Sequence, residues 1–431
     1  MTILAISYWL LANSLHAQVS SDSLSAVYSK KMQQYLDKDG KVSEVFSFTK
    51  DGIEIYQPAT DTSERKFEGI IFWKQMDTLK RIFQFADSRE IVELCNSDNK
   101  KSFFQTITQL ITVSKKALPK LYKKKFPEDL SGLSIAIDPG HIGGDIETAK
   151  MEKKCVEMKP NSAKGIIAPI QLIEGNLTFE TAKILKKKLE REGARVVITR
   201  FKPGISAFGV TFQKWKDSLF VKALDMAYKR GDVTFEEKNF LLTKANDTEI
   251  FRMFFVKEET RFRARLINTL HVDLTLVIHY NVDEKNTNWN KPSKKDFNMA
   301  FVGGSFGADE LDKPEARLDF LRLLLTDDIE HSINFSKYIV ESLVEKTKVP
   351  AAVDSNSVYL KDNCMKTNET GVYCRNLTLT RKVHGVICYG ESLYQDNINE
   401  CKLLSQKDSK RVEEVAEAYF EGIMNYVKSR K

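Results

Sequence analysis

The sequence predicts an α/β fold: a mixed, mostly parallel sheet with helices on both faces, carrying helical insertions and preceded by an N-terminal α+β region. Three observations lead there. From Leu133 onward, compact apolar runs read as strands and are spaced far enough apart for crossover helices between them. The segment between the first two runs is amphipathic at helical period. The chain has 431 residues, 42% of them hydrophobic, enough for a large core and more than one folding unit.

The first stretch, "MTILAISYWLLANSLHAQ", holds an apolar run from Ile3 to Ala12 followed by polar residues and Ala17. This pattern predicts a signal peptide over residues 1–17 and hence an exported protein, periplasmic or cell-wall associated. The run is shorter than the ~20 residues of a membrane span, and no other segment qualifies, so no transmembrane segment is expected. Residues 18–130 form a region of unassigned role. It contains a strand at "GIEIYQ", helices at "FWKQMDTLKRIFQFAD" and "KSFFQTITQLITVSKKAL", and a closing basic run broken by Pro119 and Pro127.

Residues 131–431 are expected to form the main α/β domain. "LSIAID" is its first strand. The helix "NLTFETAKILKKKLEREG" aligns Ala182, Leu185 and Leu189 on one face and stops at Gly193. The strands "ARVVITR", "LTLVIHYN" and "HGVICYGE" follow, and the helix "INFSKYIVESLVEKT" belongs to the same layers. Two mostly helical polar stretches, about 202–259 and 309–330, read as insertions. The first reads either as a lid beside the site or as a subdomain packed on the sheet.

The formal net charge is +7, modest and spread along the chain. That fits mild affinity for an anionic polymer; no nucleic-acid signature is present, and none is expected as a partner. None of the six cysteines forms a CxxC pair, which argues against a zinc knuckle, while Cys364 and Cys374 are spaced to close a short loop if oxidised.

Ligands of such sheets gather at the carboxyl ends of strands. His141 follows "LSIAID" on the turn "DPGH", His279 lies near the end of "LTLVIHYN", Glu391 ends "GVICYGE", and Glu174 lies just ahead of the helix expected from Asn176. Two histidines and a carboxylate match a catalytic zinc, which keeps an open position for water. A second, non-ligating carboxylate would then move protons. Each residue also has an ordinary role open to it: a turn histidine, a helix-start glutamate, a strand-end histidine or an ion-paired glutamate.

In order and context, these residues resemble the zinc-dependent N-acetylmuramoyl-L-alanine amidases with an amidase-3 type domain. The resemblance runs from Leu133 to about Lys402 and rests on "IAIDPGHIGGD", "IEGNLTFETAKILKKKLEREGARVVITR", "RARLINTLHVDLTLVIHYN" and "RKVHGVICYGESLYQDN". It implies His141, Glu174 and His279 as zinc ligands and Glu391 as the catalytic base and acid. It also implies Arg263, Asn281 and Arg381 as substrate or structural support. The implied function is hydrolysis of the amide between N-acetylmuramic acid and L-alanine in peptidoglycan, with a protein activator allowed for. The chain departs from the family in three places. A lysine-rich segment separates His141 from Glu174, Tyr389-Gly390 precedes Glu391, and a long insert precedes Arg263. Two other readings stay open: a non-catalytic peptidoglycan-binding or scaffold protein, and a zinc peptidase or deacetylase acting on other amides.

Overall fold

The structure, a computed structural model, describes residues 21–57, 65–96, 103–114 and 129–430. The expected signal peptide and most of the basic run before Leu130 lie outside these residues. The chain divides into two compact units, Met1–Leu121 with Phe306–Leu325, and Tyr122–Ser305 with Thr326–Lys431.

The smaller unit has a three-stranded antiparallel sheet, Phe46–Phe48, Gly52–Tyr56 and Phe67–Phe72, with the expected "GIEIYQ" strand at its centre. The helix Pro314–Leu325 is part of this unit's core. Its stretch Ala316–Leu325 is buried throughout, Phe320 stacks on Phe46 at 4.7 Å, and Arg317 donates to Glu68 at 3.2 Å. The segment 309–330 reads as a polar insertion because its charges stand out. The run "LDFLRLLL" is the reason it is instead buried.

The larger unit is built on seven strands: β1 Ser134–Pro139, β2 Arg195–Ile198, β3 Leu274–Asn281, β4 Met299–Val302, β5 Cys364–Lys366, β6 Val372–Arg375 and β7 Val386–Tyr394. Their order is β5-β6-β4-β7-β3-β1-β2. The pairs β2–β1, β1–β3, β3–β7 and β4–β6 are parallel; β7–β4 and β5–β6 are antiparallel. The mixed, mostly parallel sheet is therefore as expected. Strands β4, β5 and β6, three or four residues each, are too short to show a period in the sequence.

Strand parity sorts the core into two faces. Ala136, Val277 and Ile387 point to one face and pack against Ala264 and Ile267 of the helix Val256–Thr269. On the other, the Tyr280 hydroxyl meets Thr181 of the helix Glu174–Arg191, and Ser392 meets Tyr419 of the helix Lys410–Ser429. Helices thus cover both faces.

The lysine-rich segment after His141 folds as a helix, Ile146–Glu152, and a hairpin of Cys155–Met158 with Ile170–Ile173. The first insert folds as helices Phe212–Lys229, Phe235–Thr243 and Asp247–Ile250, followed by a π-helical turn that runs into Val256–Thr269. Thr211, Thr234 and Asn246 cap the three helices with their side chains. An aromatic core of Phe212, Trp215, Phe251, Phe254 and Phe255 binds the insert together, and Ile142, the residue after His141, is buried within it.

No disulfide joins Cys364 and Cys374. Cys364 pairs opposite Arg375, so Cys374 sits one residue out of step and its side chain points to the other face of the sheet. Among the described residues no helix is long and apolar enough to cross a membrane.

Candidate metal centre

The structure brings His141, Glu174 and His279 together, with one nitrogen or oxygen from each lying within 4.8 Å of the others. Each arrives by a different route. His279 is fixed by β3, an inner strand of the parallel part of the sheet. Glu174 is the first residue of its helix, two residues earlier than the periodicity indicates, where the helix dipole favours a carboxylate. His141 stands on the turn after β1 with φ of +61°, a left-handed conformation uncommon outside glycine.

Two glycines make this approach sterically feasible. A Cβ on Gly140 would sit 2.2 Å from Cε1 of His279, so only glycine lets that ring lie over the turn. A Cβ on Gly143 would meet the backbone of Gly175 at 2.7 Å, so the turn and the start of Glu174's helix pack backbone against backbone. Asn176 then ties the two, accepting from Gly144 N at 2.7 Å and donating to Gly144 O at 3.0 Å.

Glu174 Oε1 lies 2.9 Å from His279 Nδ1 and 3.2 Å from His141 Nε2. His141 Nε2 and Glu174 Oε2 are buried and make no well-aligned hydrogen bond, their charged neighbours being Glu174 Oε1 and the Lys154 ammonium. Such orphans are costly in a dry site unless something else occupies their lone pairs. Burial alone would raise the Glu174 carboxyl, but the charges of His141 and Lys154 hold it well below the usual range. Burial pushes His279 down to about 4, leaving a neutral imidazole. Lys154 lies 3.4 Å from Glu174 Oε2, with its ammonium over the Trp289 ring at 4.8 Å.

Glu391 is the register partner of His279 on the adjacent parallel strand β7. Their side chains therefore leave the same face at one level, on strands about 4.8 Å apart. Burial first, and then the nearby Glu174 carboxylate, push the half-buried Glu391 carboxyl up to about 7. Two residues earlier, the Tyr389 ring stacks on His279 at 4.6 Å, and Gly390 leaves room for the Tyr419 hydroxyl on the opposite face. Packing thus explains the Tyr-Gly that precedes Glu391.

The supporting residues have distinct places. Arg263 is buried beneath the turn, donating to Glu259 at 2.9 Å and reaching Asp138 Oδ2 at 3.5 Å. Asn281 donates to the Tyr359 hydroxyl at 3.1 Å. Arg381 lies on the short helix Thr378–Lys382 and donates to Asn376 at 3.2 Å. The strongest brace is Arg200, whose guanidinium donates to the carbonyls of Pro139, Gly140, Ile142 and Gly175 at 3.0–3.2 Å. Sequence reasoning missed Glu152, Lys154 and Arg375. The first two stand in the lysine-rich segment, where they read as solvated charge. Arg375 is stacked over Phe301 and Tyr359 at 4.9 Å each and its charge acts on Glu391.

No protein-family model and no curated protein matches the chain. Solved structures similar to it are N-acetylmuramoyl-L-alanine amidases. The CwlD amidase of Clostridioides difficile, solved in complex with the GerS lipoprotein, is 17% identical with a TM-score of 0.37, over 69% of this chain and 100% of that one. Ami1 of Mycobacterium smegmatis is 13% identical with a TM-score of 0.39, over 70% and 99%. The catalytic domain of CwlV from Bacillus (Paenibacillus) polymyxa var. colistinus is 12% identical with a TM-score of 0.35, over 68% and 97%.

Proposed function

We propose that the chain is a zinc-dependent peptidoglycan amidase that hydrolyses the amide between N-acetylmuramic acid and the L-alanine of the stem peptide. The observation that carries this reading is the convergence of His141, Glu174 and His279 on one point, with the protonatable Glu391 beside His279.

The donor set fits zinc. Two imidazoles and one carboxylate leave the ion a net positive charge and an open position, and the orphaned His141 Nε2 and Glu174 Oε2 gain a partner. His141, Glu174 and His279 would hold the ion. When bound, zinc supplies Lewis-acid polarisation of the amide carbonyl and acidifies water for attack. The remaining work belongs to the chain. Glu391, held near neutrality, takes the proton of the attacking water and returns it to the leaving nitrogen. Tyr389 walls the site behind His279, and Arg200 and Arg263 keep the turn in place.

The substrate is a wall polymer, so the same reading includes export through the 1–17 segment, peptidoglycan as the partner and room for a protein activator. The organisation into an N-terminal region of separate role, 18–130, and a catalytic region, 131–431, is part of the proposal. The test is metal dependence. Purified protein should bind zinc near one equivalent, lose wall hydrolysis to a chelator and regain it with zinc. A protein that takes up no zinc, or hydrolyses wall equally well without it, overturns the reading.

A further inference from the structure

The segment between His141 and Glu174 supplies a buried carboxylate that the mechanism above does not use. Glu152 is the last residue of the helix Ile146–Glu152, and its side chain is 6% exposed. A carboxylate at a helix C-terminus faces the negative end of the dipole, an unfavourable place unless other partners compensate. Here they do. Glu152 Oε1 lies 3.1 Å from His141 Nδ1, and the Ile142 amide lies 3.1 Å from each carboxylate oxygen. That amide belongs to the turn that holds His141 in its left-handed conformation.

We infer that Glu152 is the positioning residue of the centre: it accepts the Nδ1–H of His141, so that Nε2 is the nitrogen turned toward Glu174 and the metal position, and it pins the left-handed turn through the Ile142 amide. The inference rests on the metal reading above. A histidine ligand is oriented by what its second nitrogen donates to, and removal of such a partner typically weakens metal binding about 10–100-fold.

The helix that carries Glu152 is itself held at both ends, at the second by the first insert. Asp145 caps the start of its helix, accepting from Thr148 N at 2.7 Å. Arg252, from the π-helical turn of the insert, donates to the carbonyls of Lys150 and Met151 near the helix end, at 3.0 and 2.5 Å. Ile142 is buried in the insert's aromatic core. The insert thereby reaches His141 along two routes, one apolar and one polar.

The test uses the full chain carrying Glu152→Gln or Glu152→Ala. Zinc affinity is measured by competition with a chelator. The Nδ1–H···Glu152 hydrogen bond is read from the ring N–H proton of His141 and its exchange with water in 15N-histidine-labelled, metal-free protein, assigned with His141→Asn. We expect a hydrogen-bonded, slowly exchanging Nδ1 proton on His141 in wild type and its loss in Glu152→Ala. Zinc dissociation constants should rise about 10–100-fold in Glu152→Ala and less in the near-isosteric Glu152→Gln. A lowered melting temperature with an unchanged Nδ1 proton signal and unchanged zinc affinity would assign Glu152 a purely structural role and overturn the inference. The Nδ1 hydrogen bond decides it even if the wild-type chain binds no zinc, the result that defeats the metal reading alone.

Discussion

His279 and Glu391 stand on adjacent parallel strands, whereas His141 and Glu174 stand on a turn and at a helix start, and different forces hold the two halves. The strand half needs little beyond the ladder: register sets which face each side chain leaves by and how far apart the two begin. The turn half has no ladder. It is held by polar groups that converge on the turn's backbone, Arg200 on four carbonyls, Glu152 on an amide and Asn176 on Gly144. The comparison teaches where each half is fragile. The strand half should fail in chemistry when a functional group is removed. The turn half should fail in assembly when a brace or a glycine is changed.

Glu391→Gln is the sharpest cut through the strand half. Loss of a general acid–base group costs about 10²–10⁴-fold in rate. Zinc content and melting temperature should stay near wild type; a variant that is active, or that loses its metal, would place Glu391 elsewhere in the account.

Ile142→Ala probes the turn half through the insert's core. Truncating a buried isoleucine costs about 2–5 kcal/mol, and the loss should lower both thermal stability and zinc affinity. An insert that acts only as a lid over the site predicts instead a gain in wall hydrolysis when its packing is loosened. Gly140→Ala crosses the two halves, because the added methyl would collide with the His279 ring. Overpacking of this kind costs about 1–3 kcal/mol, and zinc affinity should fall with it. Stability and affinity both unchanged would show that the ring does not lie over the turn.

The last effect is read through pH and lies in the loop between β3 and β4. Burial, and then the charge of Glu400, push Asp296 up to about 7, against about 3.9 for an unfolded aspartate. Between these values the folded chain holds the extra proton, so this group's contribution to stability falls as pH rises from ~4 to ~7. Asp296→Asn keeps an acceptor for Tyr394 N and removes the titration. Denaturant melts at pH 5 and pH 8 should show a smaller pH dependence than wild type.

Much of this was legible in the sequence, for a physical reason. The long central strands "LTLVIHYN" and "HGVICYGE" are buried on both faces and so read as continuous apolar runs; His279 and Glu391 interrupt them visibly. His141 was flagged by the proline and glycines of its turn. The braces were not legible. Glu152 and Lys154 sit in a lysine-rich run where charge ordinarily means solvent, and only the fold shows Glu152 buried against His141. The helix Pro314–Leu325 misled through its own charges, since Arg317 and Asp319 are buried with partners Glu68 and Ser88 far away in sequence. Long-range pairing leaves no periodic mark.

Zinc-loaded protein and purified peptidoglycan, with products identified by mass spectrometry, test the central claim most directly. The account predicts intact glycan strands and released stem peptides with a free L-alanine amino terminus, absent when Glu391→Gln is used. Cleavage within the peptide or the glycan, or no release at all under zinc-saturated conditions, would contradict it.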